Sequence, residues 1–371
     1  MLEKTRGFRD AIKNIDFTLI ILTIAAAVFG IVMISSAGGD GSARYVIVQS
    51  AALVLGLVGV VIISILDYDY LARLSKYIYI ACIVLLVLVL IPGIGYMQNG
   101  ARSWFRLGSV SLQPAELVKI GFIIVFSKVL SDTGSSLNKP KTLGKVLALP
   151  AVLCVLMLLQ PDFGTVVVFV MMAAAMLFMA KLNLKYILGA VGAVIVMCPI
   201  AWFFLLKPYQ KNRIITLFNP EIDPTGSGYH VIQSKTAVGS GKLTGMGLYN
   251  GSSRYNNLLP ERHTDFIYSV VCEELGMIGG IAVIILLSAI IIRCLYIGIN
   301  ARNNEGLYIC TGVAAMLAFQ SFENIGMCIG IFPVTGITLP FFSYGGSSLV
   351  TNMLALGLVL NVRYRYKKIN F

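Results

Sequence analysis

Long apolar runs broken by short polar stretches set the rhythm of this chain from one end to the other. A helix rises 1.5 Å per residue, so ~20 apolar residues cross ~30 Å of hydrocarbon. Ten such runs are read as membrane-spanning helices, at roughly 17–36, 45–66, 75–95, 113–131, 143–159, 163–180, 184–206, 266–292, 306–329 and 340–362. They lack the period-two alternation of a membrane barrel. The expected fold class is therefore all-α: a polytopic membrane protein with ten transmembrane helices, residues 1–371 forming a single integral membrane domain. Most connections are short. The exception, 207–264, separates the seventh and eighth spans and holds "NPEIDPTGSGYHVIQSKTAVGSGKLTGMGL". Long loops in compact proteins are usually functional or disordered. Its middle, Tyr229 to Val238, is compatible with a helix that either lies along the bilayer surface or caps a cavity.

Composition agrees with this picture. With 57% hydrophobic residues, 12% charged residues and a mean hydropathy of +0.84, the chain does not have the surface of a soluble domain. The first run is too long for a signal peptide, and "SSAGGD" after it is a weak cleavage site. Charge adds direction. With the N-terminus inside, eighteen Lys and Arg fall in cytoplasmic segments, and only Arg44, Arg102 and Arg106 fall in short outer loops. Both termini are thus expected to be cytoplasmic. The net charge of +12 is mostly this topological signal, dispersed among loops, which argues against nucleic-acid binding. The long outer loop escapes the charge rule, and its cations, Arg213 among them, suit an anionic ligand. Seven cysteines sit singly with no CxxC, as packing residues do, so no metal cluster is expected.

Ionisable residues in spans are costly and mark candidate sites. Lys119, two turns into the fourth span, either pairs with Glu116 on one helix face or lines a polar cavity and binds an anion, with Arg102, Trp104 and Arg106 upstream. "LLPERHTDFIYSVVCEELG" gathers Glu261, His263 and Asp265 where the eighth span begins. Asp265 is either an N-cap or a general base, and His263 either a solvated loop residue or part of that site. Glu273 and Glu274, about 12 Å deeper, read as packing or interhelical hydrogen-bonding groups. Asp162 in "QPDFGT" reads as a turn or cap residue, or as a site residue; Glu323, in mid-span, is expected to make a structural hydrogen bond. In "PVTGITLPFFSYGGSS" the broken backbone around Ser343 either binds polar substrate or permits close packing.

"NGARSWFRLGSVSLQPAELVK", "QPDFGT", "LLPERHTDFIYSVVCEELG" and "PVTGITLPFFSYGGSS" together, in this order, resemble the signatures of the SEDS family (shape, elongation, division and sporulation). "PVTG" resembles the rod-shape branch more than the division branch. The resemblance implies a peptidoglycan glycosyltransferase that polymerises lipid II at the outer face of the bacterial cytoplasmic membrane during elongation. It also implies a class B penicillin-binding protein as partner, with other membrane proteins of the elongation machinery. It places the essential carboxylate at Asp265 and further substrate-site residues at Arg102, Trp104, Glu116, Lys119 and Glu261; Asp162, His263 and Ser343 join them as candidates. A divalent cation, Mg or Mn, is compatible with leaving-group assistance, although the sequence shows no cage for one. The rival readings are a flippase or transporter of lipid-linked precursors and a non-catalytic scaffold for the synthase.

Overall fold

The computed structural model describes residues 16–98, 101–107, 110–206, 208–223, 226–252 and 259–365. Lys4, Arg6, Arg9, Lys13, Lys207, Arg254, Leu258, Lys367 and Lys368 lie outside the described residues.

The apolar runs become helices: α1 Phe17–Ala37, α2 Ser42–Ile65, a short α3 Tyr68–Arg73, and α4 Ser75–Leu90. Next come α5 Pro114–Thr133, α6 Pro140–Leu159, α7 Phe163–Met179 and α8 Leu184–Ile200, which continues as a π-helical turn over Ala201–Leu205. The long connection forms α9 Pro208–Phe218 and α10 Ser227–Ser240; α11 Ile267–Ile299, α12 Asn304–Cys328 and α13 Gly346–Tyr364 complete the bundle. Among the described residues five helices are long and apolar enough to cross a membrane, with α4 and α7 as shorter apolar ones. The core centres on α12, whose buried residues run almost its full length against α5, α7 and α11. No residue of α8 is buried.

The mostly helical class holds, with the addition of a small sheet, β1 Gly95–Gln98, β2 Ala101–Leu107 and β3 Val110–Leu112, antiparallel in the order β1-β2-β3. Two span boundaries change. The third span therefore ends at Leu90 instead of running to 95. The last helix starts at Gly346, later than expected, because Pro333–Gly345 is irregular backbone.

Ion pairs and caps gather at one end of the bundle. Asp16 caps α1 through Leu19 N and binds Arg293 at 2.8 Å; Tyr68 donates to Asn303, and Arg365 pairs with Asp67. The opposite end holds the sheet, α9, α10 and the turn before α11. There α11 breaks at Gly276, whose φ of +69° and ψ of −165° are not helical. The residues after α10 fill the notch: Met277 N donates to Lys242 O, Met246 N to Glu273 O and Gly247 N to Glu274 O. These bonds occupy backbone groups that the break would leave without partners. Ser36 donates to Glu274 at 2.6 Å, and Arg262 donates to Ala37 O at 2.6 Å. The first limb of α11 therefore lies across the end of α1 instead of continuing along its axis.

Candidate active site

The turn over Leu259–Phe266 is built on one carbonyl. Glu261 adopts φ +53°, and its oxygen accepts from the backbone N–H groups of Thr264, Asp265 and Phe266. Thr264 Oγ1 also donates to the Glu261 carboxylate at 2.9 Å. α11 is capped by Phe266 with no side-chain bond, so Asp265 is not an N-cap. Its main-chain oxygen is held by Asn324 Nδ2 at 2.7 Å, and the same nitrogen donates to Ile337 O at 2.7 Å. One carboxamide thus binds the Asp265 turn to the loop before α13. Gly336 of that loop, at φ +79°, leaves the carboxylate room: a Cβ there would lie 3.5 Å from Asp265 Oδ2.

Asp265 is partly buried. Burial pushes its carboxyl up to about 7, with Glu261 adding to the rise and Arg213 opposing it. Arg213, on α9, donates Nη1 to Val334 O at 3.1 Å, two residues from Gly336. Beside the turn is a cavity of about 310 Å³ lined by Ala37, Gly38, Tyr45 and Leu259–His263. His263 stacks on Tyr45 with centroids 4.4 Å apart, and Tyr344 lies 5.6 Å away on the α13 side. Burial lowers the imidazole pKa, Glu261 opposes and Arg262 adds to the fall, which leaves a neutral ring at pH 7.

A second polar group lies under the Pro333–Thr338 loop. Lys119, 2% exposed, pairs with Glu116 at 2.8 Å. Gln113 Nε2 donates to Asp162 Oδ2 at 3.0 Å, while Asp162 Oδ1 caps α7 by accepting from Thr165 N at 3.2 Å. Glu323 on α12 is fully buried, and Asp162 and Lys119 are the charges that act on it. Neither Glu323 oxygen has a hydrogen-bond partner among the described residues, which corrects the expected structural bond. Thr335 Oγ1 and Glu116 Oε2 share that condition. Among the described residues no three His, Cys, Asp or Glu side chains are grouped to hold a metal ion. A divalent cation here would depend on substrate oxygens for most of its ligands.

The chain matches the cell cycle protein family of FtsW, RodA and SpoVE over residues 16–368. It belongs to that family, the SEDS proteins. It is 38% identical to the stage V sporulation protein E of Bacillus subtilis (strain 168) over 365 residues, 95% of this chain and 98% of that one. It is 36% identical to the peptidoglycan glycosyltransferase MrdB of Escherichia coli (strain K12), covering 96% and 95% of the two chains. A chain solved in a study of how a peptidoglycan synthase complex coordinates polymerization and crosslinking superposes with a TM-score of 0.82 at 34% identity, over 94% of this chain and 97% of that one. The rod shape determining protein RodA of Thermus thermophilus gives 0.72 at 29% identity, over 95% and 98%.

In this SEDS protein the expected site residues separate into groups. Glu261, His263 and Asp265 share one turn, with the last beside Arg213. Glu116, Lys119 and Asp162 form the second group with Glu323. Arg102 and Trp104 stand on β2, where Arg102 Nη1 donates to Leu90 O at 3.4 Å and Trp104 faces Tyr96 across the strand pair. Ser343 turns inward: its hydroxyl accepts from Leu339 N at 2.8 Å, and its carbonyl accepts from Gln49. Glu274 accepts from Ser36 and Glu273 from Ser252, the interhelical role expected of them. Sequence reasoning missed Asn324 and the reach of the Arg213 charge to the aspartate. The signal available was an amide-bearing residue in an apolar span and an arginine on an amphipathic segment.

Proposed function

We propose that this SEDS protein is the lipid II polymerase of cell-wall elongation, with Asp265 as general base. The relatives named peptidoglycan glycosyltransferase support the reaction class. The carrying observation is the Asp265 carboxylate: it caps nothing, the opposite charges of Glu261 and Arg213 act on it, and its main chain is fixed by Asn324. The base takes the proton of an acceptor GlcNAc 4-hydroxyl. That oxygen attacks the anomeric carbon of the donor, whose bond to the lipid diphosphate oxygen breaks with inversion. The polyprenyl diphosphate leaves with the electron pair.

The reading places ten spans in the bacterial cytoplasmic membrane with both termini inside. The Asp265 end faces outward, and 207–264 forms the outer loop of one 1–371 domain. Lys128, Arg293 and Arg302 at the other end support this orientation. Membership of the rod-shape branch follows "PVTG", and a class B penicillin-binding protein is the crosslinking partner. The test uses the purified protein with its cognate partner and lipid II. Asp265→Asn should lower glycan polymerisation by about 10²–10⁴-fold while leaving the melting temperature in detergent unchanged. Near wild-type polymer from that variant removes the base. Lipid II translocation without chain growth by the wild type would make the protein a transporter.

A further inference from the structure

Departure of a diphosphate needs positive charge beside the breaking bond, and Lys119, Arg102, Arg262 and Arg213 are among the cations near this end of the bundle. Lys119 is held by Glu116, and Asp162 and Glu323 also act around it. An ammonium already paired with a carboxylate in a buried setting has less attraction left for an anion. Arg102 is turned toward the end of α4, where it binds Leu90 O. Arg262 is bound to Ala37 O, across the cavity on the α1 side.

Arg213 differs. It is the cation whose charge reaches Asp265. Among the described residues it makes one hydrogen bond, to Val334 O. A guanidinium has five N–H donors in a fork that fits phosphate oxygens, so most of its capacity is unused. Its position is set by the same loop that positions the base. Val334 O receives Arg213, Gly336 stands against the Asp265 carboxylate, and Ile337 O receives the amide that also holds Asp265 O. Base and cation are thus registered to one stretch of backbone on elements more than 50 residues apart in sequence.

We infer that Arg213 is the diphosphate-binding residue, donating to the leaving oxygens as the sugar bond breaks; this rests on the polymerase reading above. Lys119 then stays paired with Glu116 on α5 and does not touch the lipid diphosphate. The donor needs no proton transfer: its N–H groups face oxygens that gain charge in the transition state.

The test compares wild type, Arg213→Gln and Arg213→Lys, each with the partner and lipid II, and adds polyprenyl diphosphate as a product inhibitor. Arg213→Gln should lose about 10²–10³-fold in polymerisation rate. Its half-inhibiting concentration of polyprenyl diphosphate should rise at least about tenfold, and Arg213→Lys should fall between, because charge is kept and the fork is lost. Inhibition by the uncharged polyprenol should stay the same in all three. Unchanged diphosphate inhibition in Arg213→Gln overturns the assignment, as does an equal loss for the alcohol. If the glutamine variant does not fold, unchanged diphosphate inhibition in Arg213→Lys overturns it instead. Failure of the wild type to polymerise would defeat the polymerase reading, whereas an active wild type with an indifferent Arg213 defeats only this inference.

Discussion

Asp265 must be ionised to accept a proton, yet burial and Glu261 hold its carboxyl near 7 against the pull of Arg213. As the proposed base, Asp265 acts in its deprotonated form. The initial rate of polymerisation at low substrate should fall about tenfold per pH unit below about 7 and level off above it. A flat profile across that range would assign the proton to another group. The aspartate was legible in the sequence only as an N-cap or a base, and it was the family resemblance that singled it out. Lys119 and Glu116 were legible because ionisable residues in an apolar span are expensive, and so was the possibility that they simply pair. Asn324 was not legible, since its importance arises from two carbonyls, of Asp265 and Ile337, that only the closed fold brings within reach of one amide. Ser343 misled in the opposite direction: a small polar residue in a broken helix resembles a binding group until its hydroxyl is found on Leu339 N.

At the level of elements, the break in α11 is the feature with the sharpest consequence for stability. Gly276 has a positive φ, and a Cβ there would lie 2.4 Å from Gly245 N and from Leu243 O. Both obstacles are backbone and cannot rotate away. Gly276→Ala should therefore destabilise by at least ~2 kcal/mol, from strain and from displacement of the 241–252 segment. Thermal melting in detergent checks it; an unchanged midpoint would mean the notch is looser than described. Helix positions followed the apolar runs closely because length and hydropathy dictate them. The sheet did not, because 95–112 is short and mixed in polarity. Its strongest local cue, the hairpin-favouring Asn99-Gly100 pair, was masked by the reading of the third span as continuing to 95. The kink was also hidden, since one glycine within an apolar run is ordinary in membrane helices.

Across the whole molecule, cations and caps concentrate at the end away from Asp265, whereas the sheet, α9 and α10 crowd the other. If the proposed orientation is right, cysteines placed at exposed Lys141 and Arg106 in a background lacking the seven native cysteines should react with impermeant maleimide from opposite sides. In intact cells only the Arg106→Cys protein should be labelled, and labelling of Lys141→Cys there would invert the topology. The charge asymmetry was readable from sequence, but the packing of α10 and residues 241–247 against α11 was not, since it depends on long-range contacts. The break at Gly276 bears on how the enzyme meets its lipid surroundings. A thicker or thinner bilayer can be accommodated by tilting the lower limb of α11 beside α1. Such a tilt pulls on the segment after α10, because Met277 N is bound to Lys242 O on the lower limb while Met246 N and Gly247 N hold Glu273 O and Glu274 O on the upper one. The break therefore joins the two limbs through residues 242–247 instead of separating them, so a change in acyl-chain length felt by one limb is passed to the segment that fills the notch.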